Sequence, residues 1–365
     1  MRVRSGVALA TVVAVAGLAT ACGDDTTGTP VGQKTSAPAT SQGPFNGKTL
    51  QLGEVVQVES ADGARMQPVA NGLIRSYATS VKIVEVGTAD QVNDTAGGES
   101  YRAAAGGTLL AFTVSVAQDE GAEGVGDKVV ADVNVDGTQR TLPEFFGSDS
   151  SSSSSEGGAQ LHYVVATAQN RRAVDLELKA SNVVQSFDLL QATPKGDRPA
   201  ALYRSSSGTT VRQEAISPVS YKVHAFDTGE DQVNELTVEN LDLGYFTGKD
   251  AAVPSDPANG WLTLSINEDS ASGSYTPCVT PLTGYSLKDA AGKVYKPSEA
   301  ASSVQSEPNA LGDTQAVVAF EVPADFAQGT LTIAPKTAIC EVSTATYKPK
   351  PVRSKATITI SLPAN

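Results

Sequence analysis

The chain of 365 residues carries 27 Lys and Arg against 40 Asp and Glu, a formal net charge of −13. A nucleic-acid surface needs a basic stripe that displaces counterions from phosphates, and none is present, so nucleic acid is not expected as a partner. Charged residues are 18%, aromatic residues 5%, and there are 33 Gly and 19 Pro. No 3.6-residue apolar period follows the first twenty residues, which argues against a helical bundle or coiled coil.

The N-terminus reads as an export leader. Arg2 and Arg4 precede an apolar run from Val7 to Leu18, too short for a membrane span of about 20 residues. Ala19-Thr20-Ala21 fits an ordinary cleavage site, so residues 1–21 are expected to be a signal peptide. Leu18-Ala19-Thr20-Ala21-Cys22-Gly23 also resembles a bacterial lipobox, whose cysteine takes a diacylglycerol and becomes the mature N-terminus. Ala19 stands where a typical lipobox has Leu. The three cysteines are Cys22, Cys278 and Cys340. An odd thiol in an exported protein calls for an explanation, and acylation of Cys22 leaves an even pair. Lipidation of Cys22 is therefore expected over a secreted form with a free thiol. Cys278 and Cys340 are expected to form a disulfide in the oxidising compartment, against two buried thiols as the alternative.

Residues 22–48 follow the leader as a Thr-, Ser-, Pro- and Gly-rich stretch with too few apolar side chains to order itself. As a flexible tether it would reach roughly 25–30 Å. From Thr49 the period becomes two. Leu110, Phe112, Val114 and Val116 alternate with Leu109, Ala111, Thr113 and Ser115. Val174, Leu176 and Leu178 alternate with Asp175 and Glu177. Leu262, Leu264 and Ile266 alternate with Thr263 and Ser265, and Ile358, Ile360 and Leu362 with Thr357, Thr359 and Ser361. This is the pattern of half-buried antiparallel strands, and many short strands with Gly-rich turns predict an all-β fold of sandwiches.

Four blocks recur in one order at an offset of about 150 residues, as self-similarity at fixed spacing requires. Thr108–Val116 matches Trp261–Asn267, and Val133–Pro143 matches Tyr285–Pro297. Tyr163–Leu178 matches Ala316–Ile333, and Phe187–Leu190 matches Ile358–Leu362. Two tandem sandwiches are expected, at 49–195 and 210–365, joined by a linker at 196–209. The six serines Ser150–Ser155 fall inside the first copy and read as a loop tip.

The lipobox-like leader, the tether and the paired strand blocks resemble actinobacterial secreted lipoproteins with tandem telokin-like, immunoglobulin-type β-sandwich domains. The resemblance implies two immunoglobulin-like sandwiches at the cell surface; no functional residue carries over.

Motifs for chemistry are sparse. The two histidines, His162 and His224, each lie within an expected strand. Neither a G-x-S-x-G elbow nor an H-E-x-x-H helix is present, so both read as structural or surface residues. Asp132-Val133-Asn134-Val135-Asp136-Gly137 opens like a calcium loop, but position 12 is Pro143 where a bidentate Glu is required. The alternating valines favour a strand with an Asp-Gly hairpin turn. Glu120 with Glu123, and Glu230 with Asp231, read as solvated loop charge. Trp261, Tyr275, Tyr285 and Tyr295 could line a carbohydrate platform, though core filling is the expected role of Trp261. No catalytic residue, cofactor or metal ligand is assigned. The expected function is binding or interaction on the outer face of the cytoplasmic membrane, anchored through Cys22 and facing the wall, with an unknown protein or wall ligand. The alternatives are an extracellular wall hydrolase and a structural spacer or assembly partner of an exported complex.

Overall fold

The computed structural model describes residues 45–118, 125–146, 159–204, 211–212, 219–224, 231–247, 251–270, 278–304, 314–334, 336, 339–342, 345–347 and 356–362. The leader, Cys22, all but the last residues of the tether, Ser150–Ser155, Glu120, Glu123, Glu230 and Tyr275 lie outside them.

Among the described residues, fourteen strands build the first half. They are β1 (Lys48–Leu50), β2 (Val55–Val58), β3 (Gln67–Pro68), β4 (Leu73–Ser76), β5 (Thr79–Ala89), β6 (Gln91–Asp94), β7 (Glu99–Ala103), β8 (Gly107–Gln118), β9 (Val129–Val135), β10 (Thr138–Thr141), β11 (Ala159–Ala168), β12 (Val174–Ala180), β13 (Val183–Asp188) and β14 (Thr193–Lys195). A front sheet runs β2-β11-β8-β5-β3, with β4 also on β5, and a back sheet runs β10-β9-β12-β13-β14. Between them Leu110, Phe112, Val114, Tyr163 and Val165 meet Val133, Leu176 and Phe187 in one buried core. The Phe112 and Tyr163 rings stack at 5.4 Å.

The front sheet is not half-buried as its alternation predicts. Leu109, Ala111, Val164 and Ala166, on its second face, are buried against Leu50, Val92 and Tyr101. Those three belong to a small third sheet, β1-β7-β6, in which β1 runs parallel to β7. A strand covered on both faces reads as a continuous apolar run. Leu109-Leu110-Ala111-Phe112 and Tyr163-Val164-Val165-Ala166 are such runs.

The second half comprises β15 (Val211–Arg212), β16 (Val219–His224), β17 (Asp231–Gly244), β18 (Asn259–Ser270), β19 (Cys278–Val279), β20 (Tyr285–Asp289), β21 (Val294–Tyr295), β22 (Ser303–Val304), β23 (Thr314–Pro323), β24 (Gln328–Ile333), β25 (Ile339–Val342), β26 (Ala345–Tyr347) and β27 (Ala356–Ser361). Its front sheet is β15-β17-β18-β23-β22, with β16 also on β17, and its back sheet is β21-β20-β24-β27. Leu262, Leu264, Ile266, Val318 and Phe320 meet Leu287, Leu331, Ile358 and Ile360 between the two sheets.

The repeated blocks take equivalent places. β11-β8-β5 corresponds to β23-β18-β17, and β10-β9-β12-β13 to β21-β20-β24-β27. The protein is all-β, built as β-sandwiches. No helix among the described residues is long and apolar enough to cross a membrane.

The join between the halves is packed where it is described. Ala201 and Leu202 are buried with Tyr245 and Ala324. The Tyr203 hydroxyl donates to Gln185 Oε1 at 2.8 Å, and the Arg198 guanidinium lies 3.9 Å from the Tyr203 ring centre. Arg75 Nη1 donates to the Arg204 carbonyl at 2.6 Å, while Arg204 Nη1 reaches the Ala324 carbonyl at 3.0 Å. Ala201–Arg204 thus grips both sandwiches, and Asn46–Asn365 forms one compact unit.

Candidate functional site

Among the described residues, the most developed polar surface is the outer face of the first back sheet. Along β12 the even positions Val174, Leu176 and Leu178 enter the core, which turns Asp175, Glu177 and Lys179 outward. Register aligns Thr141, Asp132, Glu177, Ser186 and Lys195 in one row across the sheet, and Gln139, Asn134, Asp175, Asp188 and Thr193 in the next. Outward carboxylates on a sheet are ordinarily solvated. Here Asp132, Asp175 and Glu177 are only 6%, 6% and 8% exposed.

Neighbouring side chains bury them by pairing with them. Lys179 Nζ lies 2.7 Å from Asp132 Oδ2 and 3.0 Å from Glu177 Oε2. Thr141 Oγ1 donates to Asp132 at 2.8 Å, and Asn134 Nδ2 and Gln139 Nε2 donate to the two Glu177 oxygens at 2.9 and 3.1 Å. Burial pulls the Lys179 ammonium toward neutrality, but the hydrogen bonds and charges of Asp132 and Glu177 outweigh it and its pKa is raised. Lys195 Nζ donates to Asp175 Oδ2 at 2.7 Å, and that bond raises the Lys195 pKa. Asp175 Oδ1 is buried without a hydrogen-bond partner.

At one end of this face lies an open cavity of about 550 Å³, lined by Asn134, Asp136, Gly137, Asn170, Arg172, Ala173 and Asp175. Its rim is the hairpin turn between β9 and β10, where Asp136 and Gly137 adopt φ of 49° and 89°. A turn with both central residues at positive φ is the tight hairpin that an Asp-Gly pair favours. Asp136 Oδ1 accepts the Arg172 and Ala173 N–H groups, both at 2.9 Å. The Ala173 and Arg172 bonds lower the Asp136 pKa. The cavity offers fixed carboxylates beside an exposed guanidinium and amides, a donor-and-acceptor surface for a small polar ligand.

The calcium-loop oxygens are placed by this geometry as parts of a hairpin. Asp132 is engaged by Lys179 and Thr141, Asn134 Oδ1 accepts the Gly137 N–H at 2.9 Å, and Asp136 holds the β11–β12 loop. Among the described residues no group of three or more His, Cys, Asp or Glu is arranged to hold a metal ion.

His162 does not face water freely. It is half-buried, with Nδ1 2.9 Å from Thr113 Oγ1. His224 lies on β16, far along the chain in the other half; its backbone pairs with Asp231. Trp261 is buried against Ala301 and Ala319 and donates Nε1–H to the Ala252 carbonyl at 3.1 Å. Tyr285 and Tyr295 sit in the second core. These three are packing residues, so a carbohydrate platform on them is overturned.

The backbones of Cys278 and Cys340 lie in β19 and β25 of a separate sheet, β19-β25-β26, directly opposite one another. The polar lattice on β9 and β12 went unread in the sequence because it depends on cross-strand register. The signal in the sequence is the outward set Asp132, Asn134, Asp175, Glu177 and Lys179, which alternates with valines and leucines that face the core.

No family model matches the chain, and no curated protein matches it. Among solved structures the chain is similar to the conserved domain protein from Bacillus anthracis, at 10% identity over 80% of this chain and 90% of that one, with a TM-score of 0.23. So distant a likeness carries no functional argument.

Proposed function

We propose that the chain is a lipoprotein anchored through Cys22 to the outer face of the cytoplasmic membrane, whose folded part is a binding or interaction module and not an enzyme. The resemblance to actinobacterial lipoproteins with tandem immunoglobulin-type sandwiches supports this reading, as does the recurrence of one strand order in both halves. The observation that carries the binding role is the pre-organised lattice of Asp132, Glu177, Lys179, Asp175 and Lys195 beside the cavity rimmed by Asp136. A surface whose charged groups are fixed by one another loses little freedom on binding.

Two tests address the two parts. Cys22→Ser should move the protein from the membrane fraction to the medium or block processing; unchanged partitioning with normal leader removal overturns the anchor. A photo-cross-linking residue at Arg172 should give a discrete adduct on intact cells, and the same residue at exposed Ser255 should give none. Equal labelling at both positions, or none at Arg172, overturns the binding face.

We also propose that Cys278 and Cys340 form a disulfide. Directly opposed residues of an antiparallel pair have Cα atoms about 4.5 or 5.5 Å apart, both inside the range a disulfide spans. Non-reducing peptide mapping should recover the linked peptide; two freely alkylated thiols in protein isolated without reductant would refute it.

A further inference from the structure

The back sheets of the two halves end differently. In the first, the strand β13 is covered by β14, which carries Pro194 and closes that edge with a residue unable to donate. In the second, the corresponding β27 pairs with β24 on one side, and among the described residues no strand pairs with it on the other. Leu362 N–H donates to the Ala327 carbonyl at 2.7 Å. Alternation along an antiparallel ladder then turns the backbone groups of Ile358 and Ile360 toward β24, and those of Thr357, Thr359 and Ser361 away from it. The sequence Ala-Thr-Ile-Thr-Ile-Ser has no charge and no proline, two of the devices that ordinarily blunt an edge.

We propose that this edge is a self-association surface on which β27 of a second copy adds antiparallel, joining two four-stranded back sheets into one of eight strands. The occupant follows from the strand's own symmetry. A two-fold axis at Thr359 sets Thr359 opposite its counterpart, Thr357 opposite Ser361 and Ile358 opposite Ile360. Every outward backbone group is then hydrogen-bonded, and hydroxyl pairs, a favourable cross-strand combination, line the exposed face. Ile358 and Ile360, which are 9% and 2% exposed in the core, extend the apolar face across the junction. The contact is isologous and closes at two copies. A chain of net charge −13 repels its own copies, and an uncharged strand is where that repulsion is least.

Sedimentation equilibrium on the full chain should show a reversible monomer–dimer equilibrium. Thr359→Pro removes an outward donor without touching the β24 ladder, and two such bonds are lost per dimer, so dimerisation should weaken at least about tenfold. Thr359→Lys should weaken it comparably and serves if the proline variant melts early. Under air oxidation Thr359→Cys should give a covalent dimer beyond the wild-type background, since the two Cα atoms would lie about 5.5 Å apart. Thr357→Cys should not, because its two copies would be about 14 Å apart along the strand. A chain that stays monomeric at high concentration, a Thr359→Pro variant that dimerises like the parent, or equal cross-linking from position 357 overturns the proposal.

Discussion

The two sandwiches share a strand order but not a burial pattern, and the difference lies on the outside of their sheets. In the first, the front sheet is buried on both faces, because β1, β6 and β7 cover Leu109, Ala111, Val164 and Ala166. In the second, Thr263 and Ser265 at the corresponding outer positions are half-buried, while Trp261 and Ala319 beside them are closed off with Ala301. The back sheets differ as well. β12 turns Asp175, Glu177 and Lys179 outward, whereas β24 turns Thr330 and Thr332 outward. The repeated core-facing positions specify the common architecture, and among the described residues the outer faces are where the copies diverge: a covering sheet and a row of charges in the first, hydroxyl side chains at the corresponding positions of the second.

The sharpest way to break this comparison is a charge on each outer face. Ala111→Asp places a carboxylate at a fully buried position and should cost about 3–5 kcal/mol. Thr263→Asp, at the corresponding half-buried site, should cost less than about 1 kcal/mol. Denaturant melts of both variants measure it; similar losses would mean that the third layer contributes no real burial.

A second test concerns the join. Arg204 is 5% exposed, with Nη1 at 3.0 and 3.4 Å from the Ala324 and Phe326 carbonyls. Arg204→Ala strips a charged donor from both and should cost about 2–3 kcal/mol. Trp261, the single tryptophan, reports on the second sandwich alone. The parent should melt with coincident fluorescence and circular dichroism transitions, and the variant should separate them. Coincident curves in the variant would mean that the halves are coupled elsewhere.

Much of this organisation was legible before the structure. The alternation at Leu262, Leu264 and Ile266, and at Ile358, Ile360 and Leu362, marks faces that enter the core. The alternation around Leu110 marks one core face correctly but assigns Leu109 and Ala111 to water, because a period of two cannot say whether another layer covers the second face. The Asp136-Gly137 turn was readable, since its chemistry is local. The lattice around Glu177 was not, because Asn134, Gln139 and Lys179 meet it only through register and side-chain reach.

The charged back sheet gives the third test. Removing Lys179 leaves Asp132 and Glu177, both nearly buried, without their shared cation. Breaking a buried pair is more costly than the pair is worth, so Lys179→Ala should lose about 2 kcal/mol, while Thr332→Ala on the second back sheet should lose a few tenths. Salt should weaken the parent's first sandwich little, because buried pairs are poorly screened.

The smallest effect is also the most local. Each back sheet has a hairpin aspartate with a lowered pKa, but the causes differ. Asp136 is held down by N–H groups of Ala173 and Arg172, which belong to a different loop. At Asp289 burial pushes upward, and the Tyr295 hydroxyl at 2.9 Å and the Lys293 N–H at 2.8 Å, both within its own hairpin, outweigh it. A folded pKa below the unfolded value, about 3.9, means that each carboxylate contributes stability above that pH and loses it as pH falls through the folded pKa. Carbon-detected titration should find both groups below the ordinary carboxylate range. Protonating Asp136 should loosen the Arg172–Ala173 loop at the cavity rim, read as faster amide exchange at those two residues, whereas protonating Asp289 should change exchange only at Lys293 and its hairpin. Asp136→Asn, which keeps an acceptor oxygen and removes the charge, should abolish the acid response at Ala173 while leaving that at Lys293. An Ala173 amide whose exchange ignores the Asp136 titration would show that the cavity rim is held by the β9–β10 turn alone.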